Sequence, residues 1–66
     1  MYHVFNEQIT IDGNTFSTYS LVSPTGQVAH DVTMDKAEAY RLADLFKESS
    51  LSPLHFLDAI EDYLVS

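Results

Sequence analysis

Two turn signatures divide the first half of this chain and two helix starts divide the second, which leaves few ways to fold. Asp12-Gly13 lies in "ITIDGNTFSTY" between β-branched and aromatic residues, the pattern of a β-hairpin. "LVSPTGQVAHDV" holds a second turn, with Pro24 where a fixed φ is favourable and Gly26 free to take positive φ. If Pro24-Thr25-Gly26 is a three-residue loop closed by a glycine bulge, Val22 pairs with Val28 and Phe16 lies near Met34. A two-residue loop would send Val28, His30 and Val32 to the opposite face, because side chains alternate along a strand.

The three-residue loop collects Phe5, Ile9, Ile11, Phe16, Val22, Val28, His30, Val32 and Met34 on one face, and that face is the expected core. Glu7 fits badly, since it lands on the same side. A bulge at Asn6-Glu7 would relieve this and exchange Val4 with Phe5.

Helical periodicity begins at "MDKAEAYRLADLFKESS". Asp35 with Glu38 three residues later makes a capping-box-like start, and Thr33 is the rival cap. Ala39, Leu42, Ala43, Leu45 and Phe46 fill an arc of about 160°, opposite a mostly charged face that includes Tyr40. In "LSPLHFLDAIEDYLVS", Ser52 caps, Pro53 takes the first helical position and Leu51 staples against Phe56. Phe56, Leu57, Ala59, Ile60, Tyr63 and Leu64 form a second arc of about 160°. The predicted architecture is one α+β domain over 1–66: a three-stranded antiparallel β-meander followed by a two-helix hairpin packed on one sheet face, βββαα.

Composition narrows the function. The chain has no cysteine, which removes disulfides, thiol catalysis and cysteine zinc sites and agrees with a cytoplasmic location. No apolar run is long enough to span a membrane, and no signal peptide is visible. The net charge is −7, and Lys36, Arg41 and Lys47 fall in one segment, so direct binding to nucleic acid or to an anionic membrane is disfavoured. In a chain of this size hydrophobic gain and conformational entropy nearly cancel, which favours association with a partner or a second copy.

Little in the sequence carries chemistry. His55, Asp58 and Asp62 fall at i, i+3 and i+7 on one helix and could share a metal ion, but no second helix completes the shell, so they read as a solvated face. His30 reads as a satisfied core or rim histidine rather than a general base. Ser17, Ser20 and Ser23 lack a nucleophile elbow, and "SPTG" precedes a strand, not the helix an anion site needs. No catalytic, cofactor or metal role is assigned.

The expected reading is a small acidic non-enzymatic module that occupies or regulates a protein partner and forms a homodimer. Its interface would be the uncovered sheet face, where Val4, Leu21 and Ala29 lie together with Tyr2 and Tyr19 nearby. Tyr40 is a further pointer, and the edge strand "VAHDVT" could pair with its own copy. The alternative is a nucleic-acid mimic, such as an anti-defence protein of a mobile element, using Asp44, Glu48, Asp58, Glu61 and Asp62 as an acidic surface. A metal- or histidine-dependent enzyme is the third.

Overall fold

A computed structural model describes residues 1–65. Three antiparallel strands form one open sheet in the order β1-β2-β3, followed by two helices that pack on it, as predicted. The strands are β1 (His3–Ile11), β2 (Asn14–Val22) and β3 (Val28–Thr33). The helices are α1 (Lys36–Glu48) and α2 (Phe56–Val65), the latter preceded by a 3-10 turn at Pro53–His55.

Both turns follow their chemistry. Asp12 and Gly13 take φ of 52° and 80°, the pair of positive values that a two-residue hairpin turn requires. Gly26 takes φ 89° and donates its N–H to Ser23 O at 3.0 Å, closing the three-residue loop that pairs Val22 with Val28.

The sheet face that the helices cover is not the predicted one. Tyr2, Leu21, Ala29 and Val32 join Ala39, Leu42, Ala43, Phe46, Phe56 and Ile60 in the core, with Val4 and Tyr19 packed against it. Tyr2, Phe46 and Phe56 form a ring cluster, with centroids 5.5 Å apart for both tyrosine pairs and 6.1 Å for the phenylalanine pair. The opposite face carries Phe5, Glu7, Ile9, Phe16, Val22 and Val28, and among the described residues no helix lies on it.

Two local facts decide the side. Glu7 stands in the middle of the rejected face, where an ionised carboxyl under two helices would need partners for every lone pair. The second is a bulge in β3. Leu21 pairs with Ala29 but Tyr19 pairs with Thr33, so β3 spends two more residues than β2 over this step. Asp31 absorbs the irregularity at φ 52°. Its effect is to turn Val32 onto the covered face, where it is 5% exposed, and to aim the chain at α1. Phe16 therefore does not meet Met34, which lies beyond the strand and is 56% exposed.

Helix α1 starts as read. The Asp35 carboxylate accepts from Ala37 N at 2.9 Å and Glu38 N at 3.4 Å, while Thr33 Oγ1 accepts from Asp35 N at 3.1 Å. Glu38 turns away to pair with Arg41 instead of closing the box. The end of α1 is a Schellman motif: Leu51 N donates to Phe46 O at 3.0 Å and Ser50 N to Lys47 O at 3.2 Å. Ser50 holds the left-handed position at φ 54°, where glycine is usual. Ser52 caps the 3-10 turn through Leu54 N, and Leu51 packs at the core margin. Leu45, Leu57 and Leu64, expected on the buried arcs, are about half exposed, at 48%, 48% and 56%.

Two stability outcomes follow. Leu21→Ala should cost roughly 2–5 kcal/mol in urea unfolding, whereas Phe16→Ala on the open face should cost under about 1.5 kcal/mol; the reverse order would exchange the two faces. Ser50→Gly should gain about 0.5–1 kcal/mol by relieving the left-handed serine, read as a higher urea midpoint at unchanged m-value.

Candidate functional site

The face without helices holds the most organised polar arrangement in the molecule. Its centre is built from three strands. Ser20 Oγ of β2 donates to Glu7 Oε2 of β1 at 2.6 Å and accepts from the backbone N–H of Asp31 in β3 at 3.0 Å. Thr18 Oγ1 lies 2.6 Å from Asp31 Oδ1, to which it donates, and 3.2 Å from Thr33 O. His30 Nδ1 meets Glu7 Oε2 at 2.9 Å. The Phe5 ring stands edge-on to the imidazole, with centroids 6.4 Å apart. The bulge supplies the otherwise orphaned Asp31 N–H, and Ser20 is the side chain that satisfies it.

Thr18 and Ser20 are 0% exposed although no helix covers them. Their cover is the layer of polar side chains bonded to them. His30 remains open at 66% side-chain exposure, against 29% for Glu7. The hydrogen bond from Ser20, then that from His30, hold the Glu7 carboxyl below the ordinary glutamate value. The histidine expected in the core or at its rim is thus on the open face, satisfied by Glu7.

Around this centre lies apolar surface. Ile11 is 52% exposed, and Phe16 and Val28 are each 38% exposed. Ile9 pairs directly with Phe16 across the hairpin. Because β3 pairs β2 only from Val22 to Tyr19, the hairpin beyond Thr18 projects as a two-stranded arm with apolar residues on one side. The other side of that arm carries Gln8, Thr10, Thr15 and Ser17.

The residues read as an interface are placed differently. Tyr2, Leu21 and Ala29 are buried under the helices of their own protomer, and Val4 and Tyr19 pack against the same core. They are structural residues because the covered face is theirs. Tyr40 is 48% exposed on α1, where periodicity put it. Asp44, Glu48, Asp58, Glu61 and Asp62 are all exposed along the two helices. His55, Asp58 and Asp62 do not converge: among the described residues no group of three or more potential ligands could hold a metal ion. No helix among them is long and apolar enough to cross a membrane.

The family-model match runs over residues 6–66, from the middle of β1 through both helices. The chain belongs to DUF6514, a family of unknown function. Neither a curated protein nor a solved structure matches it. The segment shared with DUF6514 contains the whole polar centre, Glu7, Thr18, Ser20, His30 and Asp31.

The sign of the Glu7 effect gives a test. A carboxyl with a lowered folded-state pKa contributes stability above its unfolded value, near 4.5, and loses it as pH falls through the lower folded value. Glu7→Gln should therefore be less stable than wild type at pH 7, with the gap in urea midpoint narrowing toward pH 3. A gap that is constant with pH would mean that the carboxylate charge is not what the centre uses.

Proposed function

We propose that this DUF6514 protein is a small acidic non-enzymatic protein-binding module, and that it works through the open face of its sheet. The observation that carries this reading is the apolar surface around the Glu7–His30 pair, led by Ile11 at 52% exposure and Phe16 and Val28 at 38%. Single exposed apolar residues are ordinary. Here they share one side of one sheet, with Phe5 and Ile9 half-buried between them. A flat patch of this kind, with a hydrogen-bonded polar centre, is how a protein docking surface combines area with specificity.

The partner chemistry follows from where the charge lies. The segment 35–62 carries seven of the ten acidic residues together with Lys36, Arg41 and Lys47, whereas the sheet half carries Glu7, Asp12 and Asp31 and no lysine or arginine. On the open face Glu7 is engaged by Ser20 and His30 and Asp31 by Thr18, so the exposed apolar residues surround carboxylates that already have partners, and the surface fits a flat, apolar partner face. The exposed leucines of the helices are a weaker site. Leu57 and Leu64 share their helix surface with Glu61, beside Asp58 and Asp62, and burying them would strand those carboxylates.

Affinity capture from native cells at low and moderate salt tests the reading through its variants. Partner binding should be lost with Phe16→Lys or Ile11→Lys, kept with the helix variant Asp58→Lys/Glu61→Lys, and changed little by salt. Binding that collapses with salt and with the helix variant, but survives Phe16→Lys, would move the site to the acidic helices, since exposed charges are screened within about 10 Å at 0.1 M.

A further inference from the structure

We propose that the free edge of β1 receives an extended segment of a partner protein as a fourth, antiparallel strand, one that carries a lysine or arginine opposite Glu7 between apolar residues. The site is the rim of the sheet, so it stands apart from the open face discussed above. Three observations lead to it.

The first is that the two edges of the sheet are unlike. Strand β3 has six residues, and its register against β2 shifts between Tyr19 and Leu21, where Asp31 takes φ 52°. Shortness and an irregularity are two ways in which an edge is kept from pairing. Strand β1 has nine residues and pairs with β2 from His3↔Val22 to Ile11↔Asn14 without a shift. It contains no proline, lysine or arginine, and among the described residues no strand lies beyond it. The long, regular edge keeps its backbone available.

The second is the direction of that backbone. The two-residue turn at Asp12-Gly13 makes Ile11 and Asn14 a hydrogen-bonded pair. Alternation then turns the N–H and C=O groups of Val4, Asn6, Gln8 and Thr10 away from β2. Asn6, Gln8 and Thr10 are exposed. A donor and an acceptor that recur together about every 7 Å match another extended backbone. The side chains of an added strand would lie beside Phe5, Glu7 and Ile9 on one side of the sheet and beside Asn6, Gln8 and Thr10 on the other. Phe5 and Ile9 are half-buried. The segment that fits is apolar on the first side and bears hydroxyl or amide groups on the second.

The third is charge. Glu7 stands at the middle of β1, and its side chain keeps 29% exposure while it holds Ser20 and His30. Full antiparallel overlap of β1 with the β1 of another copy would set Glu7 against Glu7 in a closely spaced pair without hydrogen bonds. Like charges directly opposite are destabilising. The sheet half carries Glu7, Asp12 and Asp31 and no lysine or arginine, so no strand of a second copy brings a cation to that place. A partner strand with lysine or arginine there gains a cross-strand ion pair, since a carboxylate has lone pairs beyond those that Ser20 and His30 use.

The test uses a capped peptide of the length of β1 in which apolar residues alternate with threonine and the central residue is lysine, and a twin with glutamate at its centre. Titration calorimetry should show the lysine peptide binding and the glutamate peptide binding at least about three-fold more weakly, with the gap reduced in Glu7→Gln. Amide exchange at Val4, Asn6, Gln8 and Thr10 should slow when the lysine peptide is bound. Gln8→Pro should abolish binding and keep the hairpin, because the N–H that it removes points away from β2. Thr10→Pro is the second variant should Gln8→Pro fail to fold by circular dichroism. Phe16→Lys, which alters the open face, should still bind the peptide. No binding of either peptide, equal affinity for the two, protection gained in β3 instead of β1, or binding that survives both proline variants would each overturn the proposal. A wild type that dimerises without peptide and loses the dimer with Gln8→Pro would assign the edge to a second copy and overturn it as well. A peptide lost with Phe16→Lys but kept by both proline variants would place it on the open face instead.

Discussion

A carboxylate in the middle of a strand is the constraint on which the arrangement of this molecule depends. Glu7 cannot be placed under apolar helices without losing its water, and the three strands offer it partners on the other side. Ser20 and His30 reach it there, and Ser20 in turn satisfies the backbone of the β3 irregularity. One charged residue thus selects which side of the sheet becomes interior. The large side chains of the two sides could have supported either outcome: Phe5, Ile9, Phe16 and Val22 on one, Tyr2, Val4, Tyr19 and Leu21 on the other.

The irregularity in β3 works in the same direction. A regular strand would carry Val32 on the side of Val28 and His30. By spending extra residues at His30-Asp31, the strand places His30 with Glu7 and Val32 with Leu21, so that both sides are served by one short segment. Asp31 is a reasonable residue for this, since aspartate tolerates the left-handed region better than most, and its carboxylate finds the Thr18 hydroxyl. The polar centre and the core are therefore two products of the same backbone detour.

Much of the fold could be read from residue pattern alone. Asp12-Gly13 and Pro24-Thr25-Gly26 defined both turns and the Val22–Val28 pairing, Asp35 defined the start of α1, and Ser52 marked the 3-10 turn from which α2 continues at Phe56. The choice of side could not be read from apolar alternation, because alternation was strong on both sides. Glu7 was the signal, visible as the one residue that did not fit, and moving the core would have explained it better than a bulge at Asn6-Glu7. The β3 detour leaves only a faint trace in sequence, an aspartate in a strand. The candidate site was missed because the side that already held Glu7 and His30 was taken as core, which made the pair a misfit, and because the approach of the Asp31 N–H to Ser20 depends on the β3 detour. The half-exposed Leu57 and Leu64 mark another limit. Helical spacing tells which way a side chain points, not how much sheet lies beneath it, and α2 packs over the short edge strand β3.

The Tyr2 hydroxyl donates to Leu51 O at 2.8 Å, joining the first strand to the link between the helices across a separation of 49 positions. That carbonyl belongs to the residue closing the Schellman motif, and the Tyr2 ring packs on Phe46 and Phe56 to either side of it. The contact closes a loop spanning most of the chain, so it is costly in chain entropy and belongs late in folding. Local hairpins and helices can flicker before it forms, but β1 has no apolar anchorage at its start without the helical half. The molecule is thus expected to open as one unit, with amide-exchange protection in β1 and α1 rising and falling together rather than strand by strand.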